Sequence, residues 1–195
     1  MRRFLIPALM ISLLLTGCGE RGAAVQRKVE EQRDRTAKAA EITFSADVTE
    51  NLGNEAFNCT LNCAAGPETV TAEVVSPASV AGIRAKTENG GTMLEYESIS
   101  LAVGTAGTEG LSPFSAVPLL VNALRAGFIQ RCWTERTDAG ELIAAEIYAT
   151  DAAALTVWFN AADMAPVHCE FLRDGSVALR CEIRDYSMRE MESRE

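Results

Sequence analysis

Apolar residues recur at every second position over most of the chain. Ile42, Phe44, Ala46 and Val48 alternate with Thr43, Ser45, Asp47 and Thr49, which is the pattern of a strand with one buried face. Asn51-Leu52-Gly53-Asn54 reads as a turn into a second strand through Phe57, Cys59, Leu61 and Cys63, closed by Ala64-Ala65-Gly66-Pro67. Val70, Ala72 and Val74 mark a third strand, ended by Ser76-Pro77. Ile83 and Ala85 begin a fourth. After the turn Asn89-Gly90-Gly91, Leu94, Tyr96 and Ser98 make a fifth, which Leu101 and Val103 extend. A glycine-rich loop spans Gly104 to Gly110.

The period then changes. Ser112 is a fitting N-cap with Pro113 at the first helical position, and Leu119, Leu120, Ala123 and Leu124 follow at helical spacing up to a stop at Gly127. Pro118 cannot sit deep in a helix, so the regular part is expected to begin near it. Strands resume with Phe128, Gln130 and Cys132, and continue at 141–149, 154–160, 166–173 and 177–185, the last two joined at Asp174-Gly175. The pattern predicts nine or ten short antiparallel strands around an inserted helix, with a charged, frayed tail over 188–195.

The N-terminus carries a different signal. Arg2 and Arg3 precede an apolar run from Phe4 to Leu15. That run is short of the roughly 20 residues that span a bilayer, and it suits the apolar core of a secretory leader. It ends in Leu15-Thr16-Gly17-Cys18, which resembles the lipobox of bacterial lipoproteins. The resemblance implies cleavage before Cys18 and acylation of its thiol. Two or more acyl chains, each contributing about 0.8 kcal/mol per buried CH₂, anchor a protein stably. The expected location is the outer side of a bacterial cell membrane, held by lipid. The expected organisation is a leader over 1–17, a lipidated and partly helical charged stem over 18–40, a folded domain over 41–187, and the tail over 188–195.

Charge narrows the partners. The formal charge is −9 over the whole chain, net +2 over residues 19–40 and net −13 over 41–195. A weakly basic stem beside anionic lipid and an acidic head pushed away from it are electrostatically consistent. Nucleic acid is excluded, because its binding needs basic patches that displace counterions.

Of six cysteines, Cys18 is expected to carry lipid, leaving Cys59, Cys63, Cys132, Cys169 and Cys181. Five is odd, so at least one stays unpaired in a monomer. Cys169 and Cys181 flank the hairpin turn and fall on one face, directly opposed or diagonal. They are the candidate disulfide, with the alternative that all five are small core residues.

Reactive chemistry is sparse. His168 is the only histidine, and on a strand it points away from its neighbour Cys169, so the two form no local dyad. Cys59-x-x-x-Cys63 with Cys132 fits poorly to the tight knuckle of a structural zinc site. No glycine-rich phosphate loop or paired-carboxylate motif stands out. The expectation is a non-enzymatic protein with no cofactor, no catalytic residues and no metal.

Several segments taken together resemble one family. A helix leads into an alternating strand (EITFSADVTEN). Val74-Val75-Ser76-Pro77 is followed by Val80-Ala81-Gly82-Ile83. An Asn-Gly hairpin leads to LEYESISL, the helix LSPFSAVPLLVNAL comes mid-chain, and hairpins finish the chain. This order is similar to the LolA-like superfamily, the lipoprotein-carrier fold, over roughly residues 25–186. Its lipid-anchored members, including the germination lipoprotein branch, match better than the soluble carrier, which lacks a lipobox. The resemblance implies an α+β, mostly antiparallel open half-barrel curled over one or two helices, with a concave side that takes an acyl chain or another apolar ligand. Leu119, Leu120, Leu124, Phe128, Trp133 and Trp158 are the candidates to line such a cavity. The leading expectation is a lipid-binding module. The alternative is a scaffold for a cell-envelope protein partner, of the sporulation or germination type.

Overall fold

The alternating segments join into one continuous sheet. The computed structural model describes residues 19–52, 55–105, 111–150, 153–173 and 175–191. The leader, the lipobox with Cys18, Gly53 and Asn54 of the first turn, most of the glycine-rich loop, Asp174 and residues 192–195 lie outside the described residues. The elements run α1 (Gly19–Ala37), β1 (Ala39–Leu52), β2 (Glu55–Ala65), β3 (Thr69–Ser76), β4 (Arg84–Glu88), β5 (Gly91–Tyr96), β6 (Ile99–Thr105), α2 (Pro113–Ala126), β7 (Phe128–Thr137), β8 (Gly140–Thr150), β9 (Ala153–Asn160), β10 (Pro166–Arg173) and β11 (Ser176–Glu190).

The eleven strands form a single sheet in the order β6-β5-β4-β3-β2-β1-β11-β10-β9-β8-β7. Two meanders, β1–β6 and β7–β11, meet where β1 pairs antiparallel with β11. β6 and β7 are the two free edges, so the sheet stays open. Register shifts interrupt seven of the ten strand pairs, and such bulges bend and twist strands. The result is an open antiparallel half-barrel with both helices on its inner side.

The core lies between the inner face and the helices. One row of opposed residues crosses it: Cys132, Ala145, Val157, Cys169, Cys181, Val48 and Cys59. Burial there follows the pleat, as in β9, where Leu155, Val157 and Phe159 are fully covered while Thr156 and Trp158 face outward.

Four local features depart from the sequence pattern. The fifth strand is two, because the chain turns at Glu97 (φ 52°) and Ile99–Thr105 pairs back on β5 as β6. The charged tail is tied down further than expected, since Met188, Arg189 and Glu190 pair with Ile42, Glu41 and Ala39. The segment expected as a stem is part of the folded unit. α1 buries Val29, Gln32 and Thr36, and the Thr36 hydroxyl donates to the Gln32 carbonyl at 2.7 Å. Two polar residues in the buried stripe made its periodicity hard to see.

The last departure concerns α2, which begins at Pro113 and runs through Pro118. The Ser112 N–H donates to Ser115 Oγ (2.8 Å), and the Ser115 N–H donates to Ser112 Oγ (3.3 Å), a capping box that satisfies two helix-end donors. Gly127 ends the helix in extended backbone (φ −61°, ψ 147°). A Cβ there would lie 2.6 Å from the Ala123 carbonyl oxygen and collide with Ile147, so the glycine serves close packing. At Asn89-Gly90 both residues have positive φ (50° and 78°), the backbone that a two-residue hairpin turn needs.

Candidate functional site

Leu119, Leu120 and Leu124 come together at the helix–sheet interface, where all three are buried. They pack in a filled core. The gap between α1 and α2, lined by Val29, Leu124, Ile129 and Phe159, is about 10 Å³, room for at most one water. The other three candidates do not line a cavity with them. Phe128 opens the edge strand β7 and is 69% exposed. A register shift between Ile129 and Arg131 changes the alternation, turning Ile129 and Cys132 inward where the simple pattern chose Phe128 and Gln130.

Trp133 and Trp158 lie on the outer face, in a row through Ala144. Both indole N–H groups donate to one carboxylate, Trp133 to Glu135 Oε1 (2.5 Å) and Trp158 to Glu135 Oε2 (3.0 Å). The Arg131 guanidinium sits 5.2 Å from the Trp133 ring centre. The His168 ring lies 4.9 Å from that of Trp158. His168 also faces outward, its Nδ1 2.8 Å from Glu182 Oε1.

The cysteines divide in the same way. Cys169 stands directly opposite Cys181, not diagonal to it. The two are free thiols in this structure rather than the candidate disulfide. The Cys169 thiol beside it, and then burial, push the Cys181 thiol well above its ordinary value. Burial likewise raises Cys59 and Cys132 to about 11. Such thiols stay protonated and make weak nucleophiles. Cys132 lies six strands from Cys59 along the sheet, each step being about 4.8 Å, so the spacing considered for a metal does not bring the three thiols together.

Open space lies on another side of α2. A groove of about 340 Å³ runs between α2 and the turns at the ends of β2 and β4. Pro67, Val70 and Pro118 form the apolar part of its lining, over the buried Leu119 and Val121, and Thr87, Asn89 and Asn122 are among the polar part. Its walls are fixed by polar contacts. The Thr87 and Thr92 hydroxyls lie 2.9 Å apart, and Asn122 Nδ2 donates to the Ala149 carbonyl at 2.8 Å.

Arg125 also lines the groove. Its Nη1 donates to the Gly66 carbonyl (2.7 Å) and its Nη2 to the Ala65 carbonyl (3.4 Å), while its buried Nε–H has no acceptor. Burial lowers its pKa, opposed only by the Tyr186 phenol.

Beyond the groove, the inner face of β5 and β6 is uncovered. Leu101 opposes Leu94, Leu94 opposes the buried Ala85, and Ala85 opposes the buried Ala72. Yet Leu101 is 59% and Ile99 68% exposed.

No protein-family model and no curated protein sequence matches the chain. Solved structures do. A Vibrio parahaemolyticus domain described as outer membrane lipoprotein-sorting aligns with TM-score 0.51 at 12% identity, over 90% of this chain and 94% of that one. An uncharacterized conserved protein from Thermus thermophilus aligns with TM-score 0.50 at 12% identity, over 85% and 88%. A LolA superfamily protein from Nitrosomonas europaea aligns with TM-score 0.48 at 13% identity, over 86% and 94%. The chain shares the fold of the Vibrio parahaemolyticus domain and the Thermus thermophilus protein.

In this chain α1 packs on β7 and β1, and α2 packs on β8 and on β1–β3, which leaves the inner side open beside β4–β6. The sequence reading missed Arg125, although it is the one charged residue of PFSAVPLLVNALRA. It also missed the uncovered wall, although no charge falls between Ile99 and Thr105.

Proposed function

We propose that this is a lipid-anchored extracytoplasmic bacterial lipoprotein that binds a lipid or another apolar ligand without catalysing a reaction. The observation that carries this reading is the groove of mixed polar and apolar lining beside α2, together with the uncovered apolar inner wall of β5 and β6. Apolar surface leaving water contributes about 25 cal/mol per Å², and 340 Å³ falls at the small end of ligand pockets, which run from about 300 Å³. The leader and lipobox support the anchor. Among the described residues no helix is long and apolar enough to cross a membrane. The fold adds weight, because a similar fold occurs in a domain described as lipoprotein-sorting. Site chemistry supports the non-enzymatic part, since the buried thiols are held protonated and the imidazole faces the outer side.

The test is native mass spectrometry of the mature chain, residues 18–195 with Cys18→Ser, which contains every described element. A co-purifying or added apolar ligand is expected, displaced by Val70→Trp, whose ring projects into the groove from the partly exposed position of Val70. Absence of any bound ligand, with the fold intact, refutes the reading.

A second reading rests on β6. This free edge is apolar and carries no charge, whereas most edge strands are protected by charge, proline or cover. An extended segment of an envelope protein could add to it. Capture of one stoichiometric envelope partner, lost on Leu101→Lys, supports that reading, and capture unaffected by Leu101→Lys removes it.

A further inference from the structure

We infer that Arg125 makes the groove selective for an anionic single-chain amphiphile, the carboxylate or phosphate head lying at the guanidinium and the chain along Pro67, Val70 and Pro118. The inference rests on the groove being the ligand site proposed above, and it adds what the ligand must carry.

Arg125 stands near the end of α2 and lines the groove. Its partners are two main-chain carbonyls, Gly66 and Ala65. Carbonyls hold a guanidinium in place without neutralising it. No ion pair to Arg125 is found among the described residues, although Arg84, Arg131, Arg180, Arg184 and Arg189 each pair with a carboxylate.

A partly buried cation without a counter-charge is unfavourable, and the depressed pKa of Arg125 has the same cause. A guanidinium has five N–H donors in a fork that fits carboxylate and phosphate. The two carbonyls engage two of them, and Nε–H is without an acceptor. The remaining charges of the groove are acidic. Glu88 is tied to Lys86 at 2.8 Å, and Glu68 is exposed at the rim. Both disfavour an anion at the rim, so the favourable place for one is at Arg125. The apolar lining beside it explains why a bare anion is a poor fit and an amphiphile a good one.

Titrating the mature chain with Cys18→Ser against dodecanoate, dodecyl phosphate and glycerol monododecanoate, each below its micellar concentration, tests this. All three share one chain and differ in head group. At least tenfold tighter binding of either anion than of the neutral ester is expected. Arg125→Met is expected to bring the anions down to the ester's affinity and leave the ester unchanged, while Arg125→Lys keeps part of the preference. The tighter of the two anions assigns the head as carboxylate or phosphate.

Equal affinity for all three in the unaltered protein overturns the inference while leaving the groove reading standing. So does an anion preference that survives Arg125→Met. If none of the three binds, the groove reading itself fails. Should Arg125→Met not fold, the head-group comparison on the unaltered protein and on Arg125→Lys still decides.

Discussion

Gly127 illustrates how a single hydrogen atom can be required by packing. It sits where α2 meets β8, and a methyl group there would overlap the Ala123 carbonyl and the Ile147 side chain. Gly127→Ala is expected to lower stability by about 1–3 kcal/mol, the usual cost of overpacking. A urea titration reads this as a lower midpoint with an unchanged slope.

The buried thiols set a pH dependence at the same scale. Cys59 and Cys132 have folded-state pKa values raised to about 11, from an ordinary value near 9.0, chiefly by burial. The unfolded chain therefore releases these protons first as pH rises. Their contribution to stability is full below pH 9 and is lost as pH climbs through about 11. Denaturation midpoints at pH 8 and pH 10.5 are expected to show the fall, and Cys59→Ala to flatten it. Equal slopes with pH in the two proteins would contradict this account of Cys59.

Elements explain where the candidate side chains fall. Val157 and Trp158 are neighbours on a regular strand, so one lies inside and the other outside, and Trp158, a cavity candidate, is the one outside. β7 has no such regularity. Its register shift turns Phe128 outward, and Trp133, next to the inward Cys132, faces out by simple alternation. A bulge is fixed by pairing with β8, which local sequence does not report. Leu120, at 2% exposure, is expected to cost about 2–5 kcal/mol when cut to alanine. Phe128→Ala, at 69% exposure, is expected to stay within about 0.5 kcal/mol. Comparable losses in the two variants would mean that β7 pairs in the other register.

At the scale of the whole molecule, the asymmetry of cover matters most. The helices pack on β7, β8 and β1–β3, so β5 and β6 keep an uncovered apolar inner wall and a groove remains on one side of α2. The proposed anchor belongs to the same scale, because α1 begins at Gly19, directly after Cys18, and packs against α2 and β7. Lipid on Cys18 would therefore hold the folded unit close to the membrane rather than on a long tether. Cys18→Ala is expected to move the protein from the membrane fraction to the soluble one without changing its unfolding midpoint. Firm membrane retention of that variant would end the anchoring proposal.

The alternation of apolar and polar residues, the helix signals at Ser112 and Pro113, and the turn residues are local properties. They determined the strand-rich character, the position of α2 and the hairpins from sequence alone. Tertiary structure decided the rest: that α1 is part of the core, that Trp133 and Trp158 share Glu135 on the outer face, and that Arg125 meets carbonyls instead of a carboxylate. Each depends on segments far apart in the chain. Which residues are left uncovered is settled only when the last strand has paired and the helices have taken their places.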